Sequence, residues 1–237
     1  PDATLYEIER QLVDVWPELI AAAGVRRVAI EAMTIPHLIW EKLRVATPDV
    51  ELFAIEGWVE QDRQLKEPSE LERVAAACAV ADRALAALLP SIRPGVTERE
   101  LALDLEWRIR TGGADRLAFD VACLAGAEAA LPHGAPGLRT VELGKVLLFD
   151  FGAQVEGYRS DMTRTLFVGE PTERDLAIYQ TVAASQDIVF ESLWEAVSAA
   201  QGGVALPAGH TYDQMARDVI EKDGRFPVYG HGLGHGI

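Results

Sequence analysis

Apolar residues along this chain fall into two alternating rhythms. From Leu5 to Ala23 they recur at helical spacing and stop at Gly24, and Val25-Arg26-Arg27-Val28-Ala29-Ile30 reads as a short strand. A helical stretch from Leu38 to Val45 leads to a second strand, Val50-Glu51-Leu52-Phe53-Ala54-Ile55. A helix–strand–helix–strand run suits a sheet covered by helices, but two strands are too few for an independent core. The polar stretch Glu60-Gln61-Asp62-Arg63-Gln64 then crosses to a long helix opening at Pro68. Leu71, Val74, Cys78, Ala81, Leu85 and Leu88 would form its apolar face, and Pro90 stops it. The pattern predicts two domains, 1–62 and 63–237.

Thr97-Glu98-Arg99-Glu100 has the form of a capping box for a further helix through Ile109, closed by Gly112-Gly113. Strands are predicted from Ala118 to Leu124 and from Lys145 to Ala153. The second returns through Gln154-Val155-Glu156-Gly157 into Tyr158 to Val168 as a hairpin. Helices from Glu173 to Ala196 and from Thr211 to Lys222 precede a Gly- and His-rich end. The fold class is α/β, with an α+β second domain and no internal repeat or low-complexity tract.

With 49% hydrophobic and 25% charged residues, the 237-residue chain has the balance of a folded protein with a real core. Its net charge of -15, without a Lys/Arg cluster, argues against nucleic acid or an anionic membrane surface as partner. The chain has no run of 18 uninterrupted apolar residues, and its start, Pro1-Asp2-Ala3, has no basic and then apolar leader. Two cysteines, Cys78 and Cys123, stand outside any CxxC, so buried free thiols and a cytoplasmic location are expected.

The chemistry gathers in the hairpin. With Val155 and Glu156 at its centre, Asp150 falls directly opposite Asp161 on one face, where like charges about 5 Å apart are destabilising. Phe149 and Phe151 flank Asp150, and burying two facing carboxylates is costly unless a cation sits between them. Arg159 shares their parity but lies near the exposed turn, so a divalent metal is the simplest counter-charge. The alternative is a bulge that shifts the register and turns one aspartate to solvent.

Gly230-His231-Gly232-Leu233-Gly234-His235-Gly236 supplies imidazoles, and its glycines argue against a helix. On a strand His231 and His235 would lie roughly 13 Å apart, so they take separate roles; a purely structural Gly/His loop is the other reading. His133, in Leu131-Pro132-His133-Gly134, could move protons or bind substrate, or be an ordinary solvated loop residue. His37 and His210 sit by helix starts and look structural. Two Asp and a His suit Mn²⁺, Co²⁺, Fe²⁺ or Zn²⁺ better than Mg²⁺ or Ca²⁺.

Leu131-Pro132-His133-Gly134, Leu148-Phe149-Asp150-Phe151-Gly152, Gly157-Tyr158-Arg159-Ser160-Asp161-Met162-Thr163-Arg164-Thr165 and His231-Gly232-Leu233-Gly234-His235-Gly236 together resemble the pita-bread metallopeptidases. Within them the likeness is to Xaa-Pro aminopeptidases and Xaa-Pro dipeptidases (prolidases), and it runs from about Gln64 to Ile237. Residues 1–60 resemble the last helix–strand–helix–strand unit of a creatinase-like N-terminal domain, which methionine aminopeptidases lack.

The resemblance implies a pita-bread catalytic domain and hydrolysis of the bond between an N-terminal residue and a following proline. It implies two divalent metal ions, manganese first and cobalt or zinc as alternatives. Asp150 would ligate one metal, Asp161 would bridge both and His235 would ligate the other. His133 would bind or protonate the substrate as a catalytic residue, and His231 would line the substrate pocket. Proline-containing peptides and a second copy of the chain in a homodimer are the implied partners. The chain stops where the family continues into a further catalytic His and two glutamate ligands, which predicts an internal portion of a longer protein. The segment from Ser198 to His210, with Gln201-Gly202-Gly203-Val204, is less family-like than its flanks. Two other readings stay open: a pita-bread module retained for protein binding, and a metal-free creatinase-like hydrolase.

Overall fold

The computed structural model describes residues 10–200 and 204–236. The predicted first turns of the opening helix, the Gln201-Gly202-Gly203 stretch and Ile237 lie outside the described residues. The chain divides at Leu65 into two units, 1–65 and 66–237.

In the first unit, helix α1 (Leu12–Ala23) ends at Gly24, whose φ of 65° lets its N–H turn back to the Ile20 carbonyl. Strand β1 (Arg27–Glu31) pairs in parallel with β2 (Glu51–Ile55), Arg27 opposite Glu51, and α2 (His37–Ala46) makes the crossover. Trp16 of α1 and Leu43 of α2 are buried, and the Trp16 indole N–H donates to Thr47 Oγ1 at 2.9 Å. The polar stretch expected to cross between domains is instead part of a short helix, α3 (Trp58–Gln64), with no buried residue. A helix that buries nothing leaves no apolar rhythm to detect.

The second unit opens with α4 (Pro68–Leu88) and α5 (Glu98–Thr111), each started by a capping box, Glu67/Glu70 and Thr97/Glu100. The buried face of α4 is Ala77, Val80, Ala81, Ala84, Leu85 and Leu88, whereas the expected Leu71 and Cys78 are exposed. Alanines all round the helix blur its apolar direction, and the core takes the side on which they admit the closest approach. Cys78 is therefore an exposed thiol, not a buried one, while Cys123 is buried. By length and mean hydropathy the segment 68–91 would qualify as a membrane span; in this fold a third of that window is buried inside the unit.

Six strands follow: β3 (Arg116–Leu117), β4 (Ala122–Ala125), β5 (Val146–Phe151), β6 (Ala153–Val155), β7 (Tyr158–Arg159) and β8 (Met162–Phe167). They form two antiparallel three-stranded sheets, ordered β3-β6-β7 and β4-β5-β8. Along β5 the side chains alternate: Leu147, Phe149 and Phe151 are buried in the core with α4, α5 and Cys123, and Asp150 belongs to the other, half-buried face. Two long helices, α6 (Glu173–Ala200) and α7 (Gly209–Asp223), pack on each other, joined by Thr181 Oγ1 donating to Asp223 Oδ2 at 2.9 Å.

Candidate metal centre

The hairpin turns at Glu156-Gly157, one residue later than expected, with Val155 facing Tyr158 and Gln154 facing Arg159. Both central residues have positive φ, 47° at Glu156 and 85° at Gly157, as a tight two-residue hairpin turn demands. Glu156 tolerates that backbone because distant groups hold it: its N–H donates to Asp115 Oδ2 at 2.6 Å, and Arg73 reaches its carboxylate at 3.1 Å. The Tyr158 hydroxyl donates to Glu70 at 2.7 Å, fastening the hairpin to α4.

The shifted centre moves the register. Asp150 lies opposite Thr163, not Asp161 as expected, and Phe151 lies opposite Met162. The displacement is two residues, and two is the side-chain period of a strand, so Asp161 keeps the parity of Thr163 and of the Asp150 face. Between the aspartates the strands pinch. The Ala153 N–H donates to Ser160 Oγ at 3.0 Å, and a β-carbon on Gly152 would stand 1.9 Å from the Ser160 carbonyl oxygen. Gly152 is the residue that permits this backbone approach.

Asp150 Oδ1 is buried and has no hydrogen-bond partner. Burial first, and the charge of Asp161 second, raise the Asp150 carboxyl above the usual carboxylate range; a Thr163 hydrogen bond and the nearby His235 pull the other way. His235 Nε2 lies 3.5 Å from Asp161 Oδ2. Among the described residues no three His, Cys, Asp or Glu side chains close into a metal cage. What the structure does supply is a desolvated carboxylate oxygen lacking a donor, a second carboxylate coupled to it and an imidazole beside that one. This donor set fits a divalent cation of the softer first-row kind.

His133 stands exposed in the loop before β5, and the structure joins it to neither aspartate by a hydrogen bond or ion pair among the described residues. Its neighbour Gly134 presses on Leu124, where a β-carbon would come within 2.7 Å of Leu124 Cδ1. Leu124 faces Leu148 across the β4–β5 ladder, two residues from the Asp150–Ala122 pair, so the loop is seated on the aspartate-bearing face. The loop is set by a group whose role in it the sequence did not reveal. Glu98, only 2% exposed, accepts from the Ala125 N–H at 2.7 Å and the Gly137 N–H at 2.9 Å, one on each side of the His133 loop.

The Gly/His segment is neither helix nor strand among its described residues. His231 stacks on Tyr229 with ring centres 5.0 Å apart, and its backbone carbonyl accepts from Arg217 at 2.6 Å. Asp213 accepts from the Leu233 N–H at 2.8 Å, and Arg217 keeps the Asp213 carboxyl below its ordinary range. In sequence, Asp213 and Arg217 look like an ordinary helix surface pair. The one available signal was that a glycine-rich loop needs tethers from outside itself.

Residues 72–237 match metallopeptidase family M24. The chain is 32% identical over 217 residues to the Xaa-Pro dipeptidase of Pyrococcus horikoshii, covering 92% of this chain and 59% of that protein. It superposes on the Xaa-Pro dipeptidase from Bacillus anthracis with a TM-score of 0.83 at 31% identity, covering 97% of this chain and 61% of that one. For the X-Pro aminopeptidase from Thermotoga maritima the TM-score is 0.82 at 29% identity, over 94% and 61% of the two chains. The chain thus spans about three fifths of the length of the relatives it matches. The fold is the pita-bread fold of prolidases and X-Pro aminopeptidases.

Proposed function

The chain belongs to metallopeptidase family M24, and from that premise we propose that the protein is a metal-dependent exopeptidase cleaving the bond between an N-terminal residue and a following proline. The observation that carries this reading is the buried, donorless Asp150 Oδ1 next to Asp161, with His235 3.5 Å from the latter. A binding module has no use for such a carboxylate, which costs stability unless a cation meets it. Relatives that are Xaa-Pro dipeptidases support the substrate class.

In this reading Asp150, Asp161 and His235 would hold the divalent metal. Bound metal supplies Lewis-acid activation of water and of the scissile carbonyl. His133, on its loop over the aspartate face, binds the substrate and gives a proton to the departing nitrogen, work suited to an imidazole near neutral pH. His231, flat on Tyr229, lines the pocket. Manganese is the first metal to test, with cobalt and zinc as alternatives, in a cytoplasmic homodimer. The first unit is the end of a creatinase-like N-terminal domain.

The test is hydrolysis of Xaa-Pro dipeptides and longer peptides by the full-length protein, after chelation and after addition of Mn²⁺. Activity lost on chelation, restored by metal and abolished by Asp161→Asn is the expected result. Metal-indifferent turnover would favour a creatinase-like hydrolase, and folded, metal-loaded but inert protein would favour the binding module.

A further inference from the structure

We infer that Asp213 and Arg217 are positioning residues, a clamp on α7 that sets the backbone from Tyr229 to Leu233 and so presents His235 to Asp161. The inference rests on the reading of His235 as a metal ligand.

The segment cannot set its own course. Gly230, Gly232 and Gly234 interrupt it, and a β-carbon at any of the three would meet nothing within 4 Å, so no packing confines the backbone there. Glycine has the largest conformational freedom to lose, which makes an untethered Gly-X-Gly-X-Gly run disordered by default. Yet among the described residues three of its backbone groups are held from outside the segment, all by one helix. Asp213 Oδ1 accepts from the Leu233 N–H at 2.8 Å. Arg217 donates to the Tyr229 carbonyl at 3.0 Å and to the His231 carbonyl at 2.6 Å. Leu233, the last residue so held, is two positions before His235.

The pair is built for this purpose. An exposed Asp–Arg pair one helical turn apart contributes little to a helix by itself. Here Arg217 Nε donates to Asp213 Oδ2 at 2.6 Å and Nη2 to Asp213 Oδ1 at 3.4 Å, while Nη1 and the same Nη2 also reach the two loop carbonyls. The guanidinium also lies 4.4 Å from the Tyr229 ring centre, and the Tyr229 hydroxyl reaches Asp213 Oδ1 at 3.3 Å. His231 stacks on the Tyr229 ring of the same assembly. A lysine could not serve two carbonyls and a carboxylate with one planar fork. Among the described residues, the contacts of the His235 ring itself are with its neighbour Gly236 and with Asp161. Groups that hydrogen-bond a metal ligand directly typically change metal affinity 10- to 100-fold when removed, and a clamp on the ligand's own backbone segment is expected to act on that scale.

The experiment compares full-length wild type, Asp213→Asn, Arg217→Lys and Asp161→Asn, free of metal at the start. Mn²⁺ is titrated calorimetrically, amide exchange is followed at Leu233, and far-UV circular dichroism reports the fold. We expect Asp213→Asn and Arg217→Lys to keep the fold, to speed exchange at Leu233 and to weaken Mn²⁺ binding about 10- to 100-fold. Faster exchange with Mn²⁺ affinity within twofold of wild type would mean the clamp serves packing alone, and unchanged exchange would mean it holds nothing. Either result overturns the proposal, as does failure of both clamp variants to fold. If Asp161→Asn binds Mn²⁺ as wild type does, or wild type binds none, the ligand reading itself fails and the clamp goes with it.

Discussion

Asp150 stands opposite Thr163 across the β5–β8 ladder, which places Asp161 one diagonal step away on the same face. Side chains directly opposed in an antiparallel pair lie about 5 Å apart at Cβ, diagonal ones about 7–8 Å. The offset therefore relaxes the repulsion that a face-to-face pair would suffer and leaves room between the carboxylates. Asp150 is still left with an oxygen that no donor meets.

Replacing that charge separates folding from function. Asp150→Asn removes a carboxylate whose ionisation is opposed by burial and by Asp161. Metal-free Asp150→Asn protein should be more stable than wild type by about 1 kcal/mol in urea denaturation, while Mn²⁺ binding and peptidase activity are lost. A less stable metal-free variant would show that the carboxylate is there for the fold.

The face that carries the aspartates was legible in sequence even though their register was not. Side-chain direction repeats every two residues, so moving the turn centre from Val155-Glu156 to Glu156-Gly157 exchanged Asp161 for Thr163 opposite Asp150 without turning either aspartate away. What decides the turn is remote: Asp115 and Arg73 hold Glu156 in a left-handed conformation that its neighbours do not favour. The start of α5 was legible because a capping box is a local hydrogen-bond exchange, here between Thr97 and Glu100, and Pro68 marked the start of α4. The buried side of α4 was misread because alanine carries little direction, which put Cys78 in the core when it faces solvent. Asp213, Arg217 and Glu98 escaped because their partners are backbone groups of distant loops.

Gly152 tests the pinch between the aspartates. A β-carbon there would lie 1.9 Å from the Ser160 carbonyl oxygen and 2.9 Å from Ala118 Cβ. Neither neighbour is a flexible side-chain end, so Gly152→Ala must part the strands. We expect a loss of roughly 3 kcal/mol or more, or insoluble protein, whereas Gly144→Ala, where nothing lies within 4 Å and only a φ of 76° opposes the change, should cost about 1 kcal/mol. Denaturation midpoints compare the two directly, and equal losses would refute the close crossing.

Glu98 tests the seat of the His133 loop. Its two carboxylate oxygens each accept a backbone N–H, and Arg139 lies 3.6 Å from Oε1. A glutamine has one acceptor, so Glu98→Gln leaves one buried N–H facing another donor. The expected cost is roughly 2–3 kcal/mol by urea denaturation, with kcat falling and Mn²⁺ affinity kept, because His133 moves and the ligands do not. Weakened metal binding in a folded Glu98→Gln protein would instead place the loop in the metal site.

The two thiols should answer pH differently. Burial, aided by the negative charge of Glu98, pushes the Cys123 thiol up to about 12, while Cys78 is exposed. An aromatic disulfide reagent at pH 8 should modify Cys78 alone in native protein and reach Cys123 only after urea is added. The same shift makes stability depend on pH. An unfolded Cys123 ionises near its ordinary value, and the native one does not until about 12. The stabilisation is therefore intact below about pH 9 and is lost as pH rises toward about 12, at a limiting slope of about 1.4 kcal/mol per pH unit. Cys123→Ala carries a constant penalty for the emptied space but should lack this slope. The difference in unfolding free energy between wild type and Cys123→Ala should accordingly shrink between pH 8 and pH 10.5. A difference that stays constant over that interval would mean that Cys123 already ionises in the native protein.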